Sequence, residues 1–322
     1  MNIPNFLKLQ NVDNDIDDIC SFLRDTIFNK LEKSGAIVGL SGGIDSTVTL
    51  ALCNKALGNQ NILGLTMFEK ESDPKNKSLI NEISQKYDIK IENIDITPIL
   101  ESFEVYSNRE NIIKEKFSNF NSNCKYRVVV PPNFNSIGIP YLEILDEKNQ
   151  NHKIKISSSD FLSLTAATSI KHRVRMTLLY YHAEKNNLSV VGTTNKSEYL
   201  QGYFVKFGDG GSDIEPLVNL YKSQVYQIGG FFNVSEKILN NEASPDVWSY
   251  STTDEEFFYT VPYEIVDLIL YSRENNLSEN EIKKISNLSE EKIQNLLKFQ
   301  DIKQRKSQHM RELPYSWKAR FI

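Results

Sequence analysis

The 322-residue chain has little cysteine: Cys20, Cys53 and Cys124 are scattered, and none forms a CxxC pair. That excludes a disulfide framework and a CxxC metal or redox centre. No apolar run approaches the roughly 20 residues that cross a bilayer. The start, MNIPNFLKLQ, has no basic segment leading into an apolar one, so neither a secretory signal nor a membrane partner is expected and the location reads as cytoplasmic. Basic charge is not in excess either. Lys and Arg number 37 against 42 Asp and Glu, a net charge of −5, which argues against a dedicated nucleic-acid surface while leaving room for a local basic patch. What is present, 40% hydrophobic and 25% charged residues, is ordinary globular composition.

Apolar spacing predicts a helix from about Asp15 to Lys33, with Gly35 as its terminating glycine. Short apolar runs at Ala36–Leu40, Ile62–Met67, Ile91–Ile96 and Leu188–Gly192 read as strands, and helices are predicted at Thr47–Leu57, Ser78–Tyr87, Leu162–Lys185, Tyr221–Phe232, Tyr263–Asn275 and Ser289–Phe299. Strands alternating with helices mean βαβ units and a parallel sheet with helices on both faces. Between about residues 101 and 161 the pattern changes: β-like stretches at Tyr126–Val130, Ile139–Ile144 and Lys153–Ile156 flank Pro131–Pro132 and the turn-prone DEKNQN. This predicts a small β-rich insertion in a single domain, 1–322. It is either a surface elaboration or a lid or dimer element. It leaves after the third strand and returns at the helix carrying Arg173, and loops on the carboxyl side of parallel strands converge on the ligand crevice, so it is expected to reach a ligand there.

The segment AIVGLSGGIDST carries the most chemistry. It follows a buried strand and opens a helix, so loop and helix N–H groups converge on one point, as an anion site requires. Gly42 and Gly43 allow close backbone approach, and Ser41, Ser46 and Thr47 add hydroxyls. Asp45 would repel phosphate unless a divalent cation stood between them. No GK[ST] follows, so this is not a Walker A loop. The loop resembles the SGGxDS motif of the N-type ATP pyrophosphatases, which split ATP to AMP and pyrophosphate while adenylating an acceptor oxygen. The resemblance implies a Rossmann-like adenine nucleotide alpha-hydrolase fold.

A second constellation, GTTNKSEYLQGYFVKFGDGGSDIEPLVNLYKSQVY, runs from Gly192 to Tyr226 and begins at the carboxyl end of a buried strand, where open α/β sheets place ligands. It resembles the NAD synthetase family, as do SIKHRVRM at Ser169–Met176, ASPDVW at Ala243–Trp248 and the terminal SQHMRELP. The resemblance implies an ammonia-dependent carbon–nitrogen ligase that uses ATP as co-substrate and Mg²⁺ to convert deamido-NAD to NAD through an acyl-adenylate. It implies ATP contacts from Ser41, Gly42, Gly43, Ile44, Asp45, Ser46, Thr47, Val48, Thr193, Lys222 and Ser244. Asp45 and Glu198 would hold the metal; Arg173, Lys206, Asp213 and His309 would hold deamido-NAD; Asp209 and Lys222 would be catalytic, Asp209 near the incoming ammonia. A homodimer is also implied, and the stripe Ile170, Val174, Thr177, Leu178 and Tyr181 has apolar surface enough for it or for a core face.

The chain departs from the family pattern at Ser169, at His172 in place of a small residue, at Thr194–Asn195, Ala243 and Met310, all expected on the acceptor side. No glutaminase module is expected, so ammonia would be free or delivered. The alternative is a paralogous amide ligase acting on another carboxylate. A tRNA-modifying pyrophosphatase and a non-catalytic nucleotide sensor are the readings from other classes. The first is disfavoured by the acidic charge and the second by Asp45, Glu198 and Lys222.

Overall fold

The computed structural model describes residues 5–130, 140–244 and 246–317. The short Ile/Val/Leu runs pair in parallel into one four-stranded sheet with the order β3 (Ile91–Asp95), β2 (Ile62–Phe68), β1 (Gly35–Gly39) and β7 (Leu188–Val191). Ile37 lies opposite Leu63 on one side and Val190 on the other. Alternate strand residues face opposite ways. Ala36 and Val38 therefore enter the core shared with α1 (Val12–Arg24), α2 (Ile44–Leu57) and α8 (Lys222–Phe231), while Ile37, Leu65 and Val190 enter the core shared with α6 (Ser158–Asn186). Every residue of α2 from Ser46 to Cys53 is buried, which suits a helix enclosed between others rather than one with a solvent face.

The remaining helices are α3 (Lys75–Tyr87), α4 (Thr97–Ser102), α5 (Val105–Lys116), α7 (Lys196–Gln201), α9 (Glu236–Leu239), α10 (Tyr263–Glu274), α11 (Glu279–Ser286) and α12 (Glu290–Arg311). The last three pack into a C-terminal cluster with Leu7 and Tyr221. A second, antiparallel sheet joins β4 (Lys125–Val129), β5 (Tyr141–Leu145) and β6 (Asn151–Lys155). Its apolar face, Tyr126, Val128, Leu142 and Ile144, closes on Ile113, Leu164, Val247 and Trp248. No helix among the described residues is long and apolar enough to cross a membrane.

Several expectations change. The first helix gives way to a π-helical turn, Asp25–Lys30, and the left-handed residue beyond it is Glu32, at φ 53°. Gly35 does not terminate it. Gly35 starts β1, where an added Cβ would stand 2.0 Å from the Asn61 carbonyl oxygen, so close strand approach is what excludes a side chain. Val105 and Tyr106 of α5 pack in the same core as Ile37. The antiparallel sheet begins at Lys125, one residue before the expected β stretch at Tyr126. Pro131–Pro132 and Ile139 lie outside the described residues. Ile170, Val174 and Leu178 belong to the α6 core, leaving Thr177 and Tyr181 of the expected dimer stripe exposed.

The topology fixes where a ligand goes. From β1 the chain proceeds to β2 on one side, while β7 joins β1 on the other. The crevice beyond the carboxyl ends of β1 and β7 is a topological switch point, and the loops from Ser41 and Gly192 both open there.

Candidate active site

The anion cradle is built by local bonding alone. Gly42 adopts φ 86°, a left-handed conformation that glycine tolerates. The Ser41 hydroxyl accepts from the Gly43 N–H at 3.2 Å, and the Ser46 and Thr47 hydroxyls donate to the Gly43 carbonyl at 3.1 and 2.8 Å. Gly43 caps α2 without a side-chain bond, so the first N–H groups of this helix remain available to an anion. Ser41, Gly43, Ile44, Asp45 and Ser46 line a cleft of about 1540 Å³. That exceeds the roughly 300–1,000 Å³ usual for one small ligand. Gly42, Thr47 and Val48 are not among the lining residues; Thr47 and Val48 are buried and support the loop from behind.

Across the cleft, α7 and α8 bring the second set. Asn195 caps α7, accepting from the Glu198 N–H at 3.0 Å, while the Glu198 carboxylate accepts from the Asn195 N–H at 3.1 Å. This capping box aims Glu198 at the phosphate loop. Lys222, 2% exposed, donates to Asp45 Oδ2 and lies 3.7 Å from Glu198 Oε1. Burial works against its ammonium, but Asp45 and Glu198 more than offset it and hold Lys222 above the usual lysine range. Burial first, then Asp45, pushes the Glu198 carboxyl up. Asp254 is buried alongside, accepting from the Tyr203 and Tyr263 hydroxyls at 2.8 Å each, and burial raises it too. One lysine thus faces three carboxylates beside a helix N-terminus. The surplus negative charge fits a divalent cation. No cluster of three or more protein ligands exists among the described residues, so Asp45 and Glu198 would share a Mg²⁺ with nucleotide phosphates, its usual mode.

Asn195 corrects one expectation. Its Nδ2 donates to Asp45 Oδ1 at 3.0 Å, so this departure falls on the phosphate side, where the amide holds the metal-candidate carboxylate in place. Thr193 and Ser244 line the same cleft.

Arg173, Lys206, Asp209 and His309 also line the cleft. Arg173 Nε donates to the Lys206 carbonyl at 3.3 Å, and Lys206 Nζ donates to the His309 carbonyl at 2.6 Å, so α12 reaches the cleft through its last turn. Asp213 stands apart. It does not line the cleft, and its carboxylate accepts from Tyr180 OH at 3.0 Å and the Val190 N–H at 2.8 Å.

Two further features have no role assigned from the sequence. Lys171 and Arg109, both fully buried, meet Glu69 and Glu71: Lys171 Nζ lies 2.5 Å from Glu69 and 2.6 Å from Glu71, and Arg109 donates to Glu71. Both cations also donate to the Val247 carbonyl, and Tyr106 and Tyr126 donate to the two carboxylates. Burial opposes ionisation of Glu71, yet Lys171 and Arg109 hold its carboxyl below the usual range. The insertion also grips the loop that follows Val247. Tyr126 N–H donates to Ser249 Oγ at 3.0 Å, Tyr250 N–H to the Tyr126 carbonyl at 3.1 Å, and Arg127 to the Ser251 carbonyl at 2.7 Å. Ser244 stands just before Val247 and lines the same cleft. Only Lys171 fell inside a recognisable segment; the partners come from four separated stretches.

The second feature is Lys303, which lines the cleft with its ammonium 3.7 Å from the Phe258 ring centroid and 2.7 Å from the Phe258 carbonyl. Burial pushes it down to about 7, while the aromatic face and carbonyl favour the cation. A lysine depressed on folding is held less protonated than in the unfolded chain from about pH 7 up to its ordinary value, so stability rises with pH across that window. Lys303→Met should therefore raise the unfolding temperature most near pH 7, by about 1–3 kcal/mol of stability, and least toward about pH 10. Thermal melts at the two pH values check the sign.

The NAD synthase family model matches residues 15–138 and 133–314. An NH(3)-dependent NAD(+) synthetase of Mesorhizobium japonicum is 34% identical over 93% of this chain and 95% of its own. The enzyme of that name from Methanocaldococcus jannaschii is 33% identical over 93% and 94%. Among solved structures, an NMN synthetase from Francisella tularensis superposes with TM-score 0.66 at 23% identity over 95% of this chain and 98% of that one. An NH3-dependent NAD synthetase from Campylobacter jejuni gives 0.63 at 22% over 96% and 100%. These two show the shared fold, the Rossmann-like adenine nucleotide alpha-hydrolase fold. With its phosphate loop at the switch point and nearly its whole length matched, the chain belongs to the NAD synthase family.

Proposed function

We propose that this protein is a carbon–nitrogen ligase that makes NAD from deamido-NAD, ATP and ammonia, through an acyl-adenylate with release of AMP and pyrophosphate. The observation that carries this reading is the convergence, in one cleft, of an anion cradle with Asp45, Glu198 and Lys222 at one end and Arg173, Lys206 and His309 at the other. The α2 N-terminus and Ser41–Ser46 hold the phosphates. Lys222 is released from Asp45 to follow charge as pyrophosphate departs. Bound Mg²⁺, held by Asp45 and Glu198, would offset repulsion between the carboxylate and the α-phosphate. Arg173 and Lys206 attract the anionic acceptor, Thr193 and Ser244 contact the nucleotide, and Asp209 faces the nitrogen nucleophile. A cytoplasmic homodimer completes the proposal, with exposed Leu162, Tyr181 and Phe207 on the α6 side as its apolar contacts. Light scattering of the purified protein checks the dimer.

The test is incubation with ATP, Mg²⁺, ammonium and deamido-NAD. NAD and AMP should form together; ATP consumed without NAD would refute the assignment. Met310, which lines the cleft beside His309, favours a second reading, a paralogous ligase for another carboxylate, and nicotinate mononucleotide in place of deamido-NAD tests it. Lys206→Ala should raise the acceptor KM roughly 10- to 100-fold, as for loss of a charge-assisted contact, with the ATP KM unchanged. An equal rise in both would show that Lys206 only anchors α12.

A further inference from the structure

Amide formation from ammonium needs two protons removed from one nitrogen, and few groups in the cleft are free to take one. Asp45 and Glu198 are engaged by Lys222, Glu71 by Lys171 and Arg109, and Asp254 by two tyrosines. Asp246 accepts from the Asp73 N–H and Asn76 Nδ2, both at 3.1 Å. His172 differs. It lines the cleft from α6, its side chain is 21% exposed, and its Nδ1 lies 3.5 Å from Asp209 Oδ1. Asp209 is fixed in turn, accepting from the Val205 N–H at 2.8 Å. Gly208 makes the approach possible: a Cβ there would stand 2.8 Å from His172 Cβ. No hydrogen-bond partner holds His172 Nε2 among the described residues.

We infer that His172, oriented by Asp209, is the proton acceptor for the nitrogen nucleophile. The inference rests on the amidation proposed above. Neutral His172, its Nδ1–H directed at Asp209, takes one proton from ammonium on Nε2. The freed lone pair attacks the acyl carbon, a C–N bond forms, and the C–O bond to the adenylate breaks with its electron pair leaving on AMP. The second proton leaves the nitrogen to water through the open cleft, and the imidazolium returns its proton the same way. The charges facing the ring are consistent with a base. Burial is the largest influence and lowers the His172 pKa; Asp209 opposes it; Arg175, Lys171 and Arg173, all on α6, add to the lowering. The imidazole is thus neutral at pH 7 and able to accept.

The test compares wild type, His172→Ala and His172→Gln with two nucleophiles, ammonium and hydroxylamine, the second being largely unprotonated near neutrality. Circular dichroism establishes that the variants fold. Both variants should lose roughly 100-fold in amide formation from ammonium at pH 7. The loss should shrink as pH rises and free ammonia increases, while hydroxamate formation and acceptor-dependent ATP–pyrophosphate exchange stay near wild type. An equal, pH-independent loss with both nucleophiles, from an active wild type, would overturn this role alone. A wild type inactive on deamido-NAD would overturn the amidation reading and this role together.

Discussion

Asp45→Asn should cut acceptor-dependent ATP–pyrophosphate exchange by about 1,000-fold or more while the protein still folds. The magnitude follows from removing a pre-placed electrostatic contact at a developing phosphate charge, worth roughly 100- to 1,000-fold alone, and a metal ligand with it. Folding should survive because Asp45 is partly exposed at the cleft wall and Asn195 and Lys222 are its only side-chain partners shown among the described residues. The neutral amide still accepts from Asn195 but no longer balances Lys222, leaving that ammonium to Glu198, 3.7 Å away. Exchange kinetics beside a thermal melt give the readout. A folded variant with ordinary exchange would remove Asp45 from the metal site.

The second large effect is on stability. Lys171→Met should destabilise the protein by about 3–5 kcal/mol, because it leaves a buried carboxylate without compensation. The network is balanced, Glu69 and Glu71 against Lys171 and Arg109, and all four side chains are nearly excluded from solvent. Adding Glu69→Gln to Lys171→Met restores that balance. The double variant should then be more stable than the sum of the single changes by about 1–3 kcal/mol. Urea unfolding of the four proteins completes the cycle, and strict additivity would mean that Lys171 and Glu69 do not interact. Since both cations also bond the Val247 carbonyl, loosening the network should weaken nucleotide binding through the loop that carries Ser244.

The strand–loop–helix at Ala36–Leu57 was legible in the sequence because everything needed lies within a few residues: a continuous apolar run, two glycines and hydroxyls that bond within the turn. Glu198 stands out by its place just beyond the carboxyl end of a buried strand; its capping box with Asn195 emerges only in the structure. Long-range partners left no such trace. Arg109 and Glu71 look like surface charges until the fold brings α5 against α6, and Asn195 looks like an acceptor-side change until β7 places it beside Asp45. Gly35 follows a helical stretch as a terminating glycine would, yet its constraint comes from Asn61 across the sheet. His309 reaches the cleft only because α12 continues to Arg311, through a polar segment whose apolar spacing had ended near Phe299. Local periodicity reports the face a helix buries, and it falls silent where an end is held by main-chain contacts such as Lys206 to the His309 carbonyl.

The acyl-adenylate is the central claim, and isotope transfer tests it most directly. Deamido-NAD labelled with ¹⁸O in its carboxylate is turned over with ATP, Mg²⁺ and ammonium, and the AMP is analysed by mass spectrometry. Attack of the carboxylate on the α-phosphate carries one labelled oxygen into each AMP, leaving the other in the amide of NAD. Labelled inorganic phosphate formed with ADP would place the attack on the γ-phosphate, and unlabelled AMP formed with labelled pyrophosphate would place it on the β-phosphate; either contradicts the mechanism.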